Sequence, residues 1–118
     1  MENETGFNEL EKAILKWCSE KYEDSALTSQ LVSASFKKRE WTKVGFYTYF
    51  DVPRTLQPVA SISMARRGFP ITGPFIESPD IEFGGGSLLW GKDGYIDCLE
   101  LYANGGSFKE HVGQFHLR

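Results

Sequence analysis

The stretch Ser87-Leu88-Leu89-Trp90-Gly91-Lys92-Asp93-Gly94-Tyr95-Ile96-Asp97-Cys98-Leu99-Glu100-Leu101-Tyr102 decides the fold class. Asp93-Gly94 is a strong two-residue hairpin signal, because the tight turn joining two antiparallel strands wants positive φ at both central positions. A two-residue turn sets Leu89 opposite Cys98, Leu88 opposite Leu99, Trp90 opposite Asp97 and Ser87 opposite Glu100. Leu88, Trp90, Leu99 and Leu101 then share one face, and Leu89, Ile96 and Cys98 share the other. A hairpin apolar on both faces belongs at the centre of a sheet, with a helix on one side and a loop or partner chain on the other.

Upstream of the hairpin, Gly84-Gly85-Gly86 is expected to be a flexible entry and Asp80–Phe83 a short strand. Phe69–Pro79, with three prolines and Gly73, predicts a surface loop. Arg66-Arg67-Gly68 predicts a turn, and Pro58–Met64 alternates as a strand with Ala60, Ile62 and Met64 on one face. Ser33–Trp41 and Val44–Val52 predict two strands joined tightly around Thr42–Gly45, rich in β-formers and ended by Pro53. The second places Phe46, Thr48 and Phe50 on one face and Tyr47, Tyr49 and Asp51 on the other.

Residues 8–23 carry a helical period, with Leu10, Ala13, Ile14, Trp17 and Cys18 on one stripe and Lys12, Lys16 and Ser19 opposite. Asn8 fits the N-cap, and Glu11 can return a bond to the cap's own amide. Asp24-Ser25 can cap a short second helix through Gln30-Leu31. Beyond the hairpin, Asn104-Gly105-Gly106 predicts a turn, and 109–118 a tail able to add an edge strand. The sum is an α+β fold in a single domain over 1–118: an N-terminal helix packed on a mainly antiparallel sheet of about five or six strands.

Composition agrees with one ordinary globular domain: 118 residues, 41% hydrophobic and 25% charged, which excludes a disordered tail or a coiled coil. No run approaches the roughly 18 apolar residues of a membrane span. The N-terminal Met1-Glu2-Asn3-Glu4-Thr5 is unlike a secretory signal, so a cytoplasmic protein is expected. Cys18 and Cys98 are too few for a disulfide framework and have apolar neighbours, which predicts buried thiols. The charge is blocked: residues 1–24 hold seven acids against three lysines, 37–67 seven bases against two acids, and 77–100 six acids against Lys92 alone.

Catalytic and metal signatures are weak. His111 and His116 lack zinc-site spacing, so neither metal nor cofactor is expected. Gly85-Gly86-Ser87 is followed by a strand where a nucleophile elbow or a phosphate cradle needs a helix. Glu100 lies between two leucines and is expected to be partly buried, either accepting bonds from amides near Gly105-Gly106 or serving a binding surface. Trp41, Phe46, Tyr47, Tyr49 and Phe50 beside Lys37, Lys38, Arg39 and Lys43 interleave rings and bases as single-stranded nucleic-acid binders do. The helix-first order lacks the RNA-recognition module's layout, which weighs against nucleic acid.

The order of helix, Gln30-Leu31, Arg39-Glu40-x-Thr42-x-Val44-Gly45-Phe46, Phe50-x-Val52-Pro53 and Asp93-Gly94 with Leu99-Glu100-x-Tyr102 resembles a family of small bacterial proteins with no assigned activity. That resemblance covers roughly residues 8–104 and implies a layout but no catalytic residues. More loosely, the hairpin is similar to those of small immunity proteins that neutralise toxins.

The leading expectation is a non-enzymatic protein-binding domain, with Trp41, Tyr47, Tyr49, Arg66, Arg67 and Glu100 as its binding residues. A homodimer is a further expectation, since one short chain has little to cover a two-faced hairpin. The alternative is a small-molecule or enzymatic site for an anionic ligand at the Arg66/Arg67 turn with Glu77 and Glu100. No membrane contact is expected.

Overall fold

A computed structural model describes residues 6–60 and 70–118. Among the described residues two helices, α1 (Glu9–Tyr22) and α2 (Ser25–Val32), precede seven strands: β1 (Ser35–Trp41), β2 (Gly45–Asp51), β3 (Ile71–Thr72), β4 (Ile76–Ser78), β5 (Ile81–Lys92), β6 (Tyr95–Ala103) and β7 (His116–Leu117). The strands form one sheet in the order β1-β2-β6-β5-β4-β7, with β3 also paired to β5. Every pairing is antiparallel. The fold is α+β, with the helices on one face of the sheet.

The helix starts form as their sequences dictate. Asn8 accepts from the Glu11 amide at 2.8 Å, and Glu11 Oε1 accepts from the Asn8 amide at 2.7 Å, a complete capping box. Glu23 closes α1 in the left-handed region at φ 47°, and Asp24 at once caps α2 by accepting from the Leu27 amide. The buried stripe of α1 is Leu10, Glu11, Ile14, Leu15 and Cys18. It is rotated from the expected one: Ala13 and Trp17 are only half-buried, and the acidic Glu11 is fully enclosed.

The hairpin turn is the expected one, with Asp93 at φ 56° and Gly94 at φ 90°. Its register is corrected by one β-bulge. Lys92 pairs with Tyr95 and Gly91 with Ile96, but Trp90 then pairs with Cys98, Leu89 with Leu99, Leu88 with Glu100 and Ser87 with Leu101. Asp97 is the extra residue, so two residues of β6 oppose one of β5. Because side chains alternate with period two, that single residue decides which face every later side chain takes. Ile96 and Leu99 are three apart, an odd spacing that a regular strand would split between faces. The bulge gathers Ile96, Leu99 and Leu101 onto the core face with Leu89, all essentially inaccessible to solvent.

Three further expectations change. Gly84-Gly85-Gly86 lies within the 12-residue β5 rather than at a flexible entry, and all three glycines are buried. They make room: a Cβ on Gly86 would lie 2.5 Å from Tyr102 Cζ, and one on Gly84, at φ 74°, would strike the Phe75 ring. The Phe69–Pro79 stretch contributes the two short strands β3 and β4 to the sheet. Pro58–Ala60 carry no strand, and the remainder of the strand expected there lies outside the described residues.

The core joins Leu10, Ile14, Leu15 and Cys18 of α1 and Leu27 and Leu31 of α2 to Phe46, Phe50, Ile76, Ile81, Leu89, Ile96, Leu99 and Leu101 of the sheet. Four polar residues are buried among the described ones, Glu11, Gln30, Thr48 and Ser87, and the first two tie the helices to the sheet. Glu11 receives both Nε and Nη2 of Arg39 and the hydroxyl of Thr48, which pairs with Arg39 across β1 and β2. Gln30 donates to the carbonyls of Gln57 and Gly94, each at 3.0 Å, and accepts from the Ile96 amide. Each is fully hydrogen-bonded, as burial of a polar group requires.

Candidate binding face

Paired residues of neighbouring strands project to the same face, so the register fixes what is displayed by the side turned away from α1 and α2, the face that is helix-free among the described residues. One row across the sheet runs Glu40, Tyr47, Glu100, Leu88 and Thr72 over β1, β2, β6, β5 and β3. The next runs Lys38, Tyr49, Cys98 and Trp90, and on the other side Gly45, Tyr102 and Gly86 form a third. Tyr47, Tyr49, Trp90 and Tyr102 therefore share one surface. They are half-buried and belong to no part of the helix-covered core.

The geometry of this surface is specific. The Tyr47 and Tyr49 rings stack with centroids 6.3 Å apart and planes at 23°. Trp90 Nε1 donates to Glu100 Oε1 at 3.0 Å, and Tyr47 stands directly opposite Glu100 in the ladder. The Glu100 charge, together with partial burial, raises the Tyr47 phenol above its ordinary pKa. Tyr49 is also raised, by burial first and then by nearby charge including Glu40, to which its hydroxyl is bonded. Lys38 Nζ stands 5.2 Å from the Tyr49 centroid and 3.0 Å from Glu40 Oε2. Tyr102 lies against Gly86, which has no side chain to hold it off.

The structure brings together Tyr47, Tyr49 and Glu100 from the expected binding residues. Trp41 points the other way: it pairs with Phe46 on the core face and packs on that ring at 4.5 Å between centroids. Arg66 and Arg67, and with them the turn expected to hold an anionic ligand, lie outside the described residues. Glu100 takes its bond from the Trp90 indole rather than from amides near Gly105-Gly106. Trp90 and Tyr102 were not among the expected binding residues. For Trp90 the missing signal was the phase break between Ile96 and Leu99, which betrays the bulge and moves Trp90 opposite Cys98.

The basic strip expected on β1 is largely absorbed. Arg39 is buried against Glu11 with its side chain 6% exposed, and Lys38 is paired with Glu40. Among the described residues no group of three or more His, Cys, Asp or Glu is placed to hold a metal ion, and no helix is long and apolar enough to cross a membrane. The chain matches no family model, no curated protein and no solved structure.

Proposed function

We propose that this chain is a non-enzymatic protein-binding domain that engages its partner through the helix-free sheet face, in the manner of the small immunity proteins its hairpin resembles. The observation that carries this reading is the placement of Tyr47, Tyr49, Trp90 and Tyr102 on one surface away from both helices. Tyrosine and tryptophan are the residues most enriched at the energetic centres of protein interfaces, because they supply large rigid area at small entropic cost. The sheet edges are poorer sites. β1 carries Lys37 and Lys38 and an irregular register between Phe36 and Lys38, and β7 is two residues long. Both features discourage strand addition and leave the face as the surface for association.

A photo-crosslinking residue at Thr72, which borders the face, tests the reading in cells that express the chain. The expected result is one discrete protein adduct, absent with the crosslinker at Lys16 on the exposed side of α1 and lost in Tyr47→Ala. An adduct at twice the chain mass makes the partner a second copy. No adduct from Thr72, or equal adducts from both positions, overturns the proposal.

A further inference from the structure

The helix-free face already holds one cation of its own. Lys38 Nζ sits 5.2 Å from the centre of the Tyr49 ring and 3.0 Å from Glu40, whose carboxylate also receives the Tyr49 hydroxyl. One tyrosine, one carboxylate and one ammonium thus form a closed set, the arrangement that makes a cation over an aromatic ring favourable. Two residues earlier on β2 the same parts recur. Tyr47 stands opposite Glu100, and Trp90 on the next strand but one adds a second ring and an indole N–H at 3.0 Å. Here no Lys or Arg among the described residues forms an ion pair with the carboxylate.

Glu100 is therefore oriented by the Trp90 indole N–H and keeps acceptor positions for a partner, since a carboxylate offers about four and this bond takes one. It is only half-buried, so its carboxylate lies within reach of a partner. We infer that Glu100, Tyr47 and Trp90 form a receptor for one basic side chain of the partner protein. An arginine fits best, because its guanidinium stacks flat on tyrosine or indole while its N–H groups meet the carboxylate. A phosphate-bearing partner is disfavoured by Glu40 and Glu100 on the same face. The inference rests on the binding role proposed above and names the chemistry that role recognises.

The test is an NMR titration of the isotope-labelled full chain with a short arginine-rich peptide, a citrulline peptide of equal length as the uncharged isostere, and Glu100→Gln as the variant. Glu100→Gln keeps an acceptor for Trp90 and removes only the charge, and a dispersed amide spectrum establishes that it is folded. The expected result is a shift of the Trp90 indole N–H resonance with the arginine peptide alone. Glu100→Gln should weaken that binding by about tenfold, as should raised salt. Equal shifts with both peptides, unchanged in Glu100→Gln, overturn the cation receptor and leave a face that binds by its rings. Absence of any shift at Trp90 also overturns the receptor, and the crosslinking result then decides the binding role by itself.

Discussion

Arg39 reaches from β1 to grip Glu11 of α1 with two nitrogens, Nε 2.8 Å from Oε2 and Nη2 2.6 Å from Oε1, inside the apolar layer between helix and sheet. The same carboxylate caps its own helix through the Asn8 amide and receives the Thr48 hydroxyl. Removing one member of such a pair strands a buried charge, whereas removing both does not. Arg39→Met is expected to lower unfolding stability by about 3–5 kcal/mol. Adding Glu11→Met should restore more than half of that loss, the remainder being the broken cap at about 1 kcal/mol. Urea titration of the two variants checks this. A double variant no more stable than Arg39→Met would show that the pair stabilises beyond its geometry.

Gln30 ties α2 to the hairpin turn and to the segment after β2. Its side chain is fully buried, and its three bonds reach Gln57, Gly94 and Ile96. Gln30→Ala leaves the buried Ile96 amide without its acceptor and opens a cavity, while the Gly94 carbonyl keeps the Val59 amide, and should cost about 2–4 kcal/mol. Gln30→Glu should do more harm at neutral pH, since an ionised carboxylate would face two carbonyl oxygens. That environment raises the introduced carboxyl's folded-state pKa above its unfolded value of about 4.3. The variant is then closest to the parent in stability below that pH and falls away as pH rises through the folded pKa. Thermal melts at acid and neutral pH, referred to the parent chain, give the sign.

Cys18 is sealed beneath α1, and burial pushes its thiol up from 9.0 to about 12. The neutral thiol is the form the core tolerates, so the folded chain keeps a proton that the unfolded chain releases. Its contribution is intact below pH 9 and is lost as pH climbs toward about 12, at about 1.4 kcal/mol per pH unit. Cys18→Ala should be less stable at pH 8, through the cavity it leaves, yet show a shallower alkaline slope. Denaturation curves from pH 8 to 11 measure both, and a thiol reagent at pH 8 should find Cys18 only after unfolding.

Gly45 and Gly86 flank Tyr102 on either side in the sheet, but they resist substitution for different reasons. A Cβ at Gly45 would stand 2.8 Å from the Leu101 carbonyl carbon and the Tyr102 Cα, which are backbone of the paired strand and cannot yield. At Gly86 the obstacle is the Tyr102 ring, a side chain that can swing outward. Gly45→Ala is therefore expected to cost about 3 kcal/mol and Gly86→Ala about 1 kcal/mol or less. Gly86→Ala combined with Tyr102→Ala should show a coupling close to the whole cost of the glycine change. Chemical denaturation of the four variants decides it.

The elements that depend on local chemistry were legible in the sequence. The caps at Asn8 and Asp24, the Asp93-Gly94 turn and the alternation of Phe46, Thr48 and Phe50 each follow from neighbours a few residues away. Two other features were not, because they depend on distant partners. Glu11 is explained by its cap alone until Arg39 and Thr48 arrive from two strands. Tyr102 has no assigned place until Gly86 is seen beneath it. The bulge is intermediate: Ile96 and Leu99 cannot both be buried in a regular strand, so the break in phase was present in the residues, and only the sheet shows that Asp97 absorbs it.

That break gives the sharpest test of the register. Deleting Asp97 leaves Gly91 opposite Ile96 and Trp90 opposite Cys98, as now, and merely makes the pairing regular. Every later residue of β6 keeps its face. Deleting Glu100, two pairs further on, instead turns Leu101 toward the helix-free face and Tyr102 into the core. A one-residue loss from the central strand of a sheet is ordinarily ruinous, since it inverts the faces of all that follows. Here the deletion of Asp97 should fold with a loss of about 1–3 kcal/mol, from its own contacts and the local twist the bulge adds. The deletion of Glu100 should yield no cooperative unfolding transition. Near-ultraviolet circular dichroism and urea denaturation of both chains distinguish them. If the Asp97 deletion unfolds as completely as the other, the extra residue is not where the hairpin places it, and Trp90 does not stand beside Glu100.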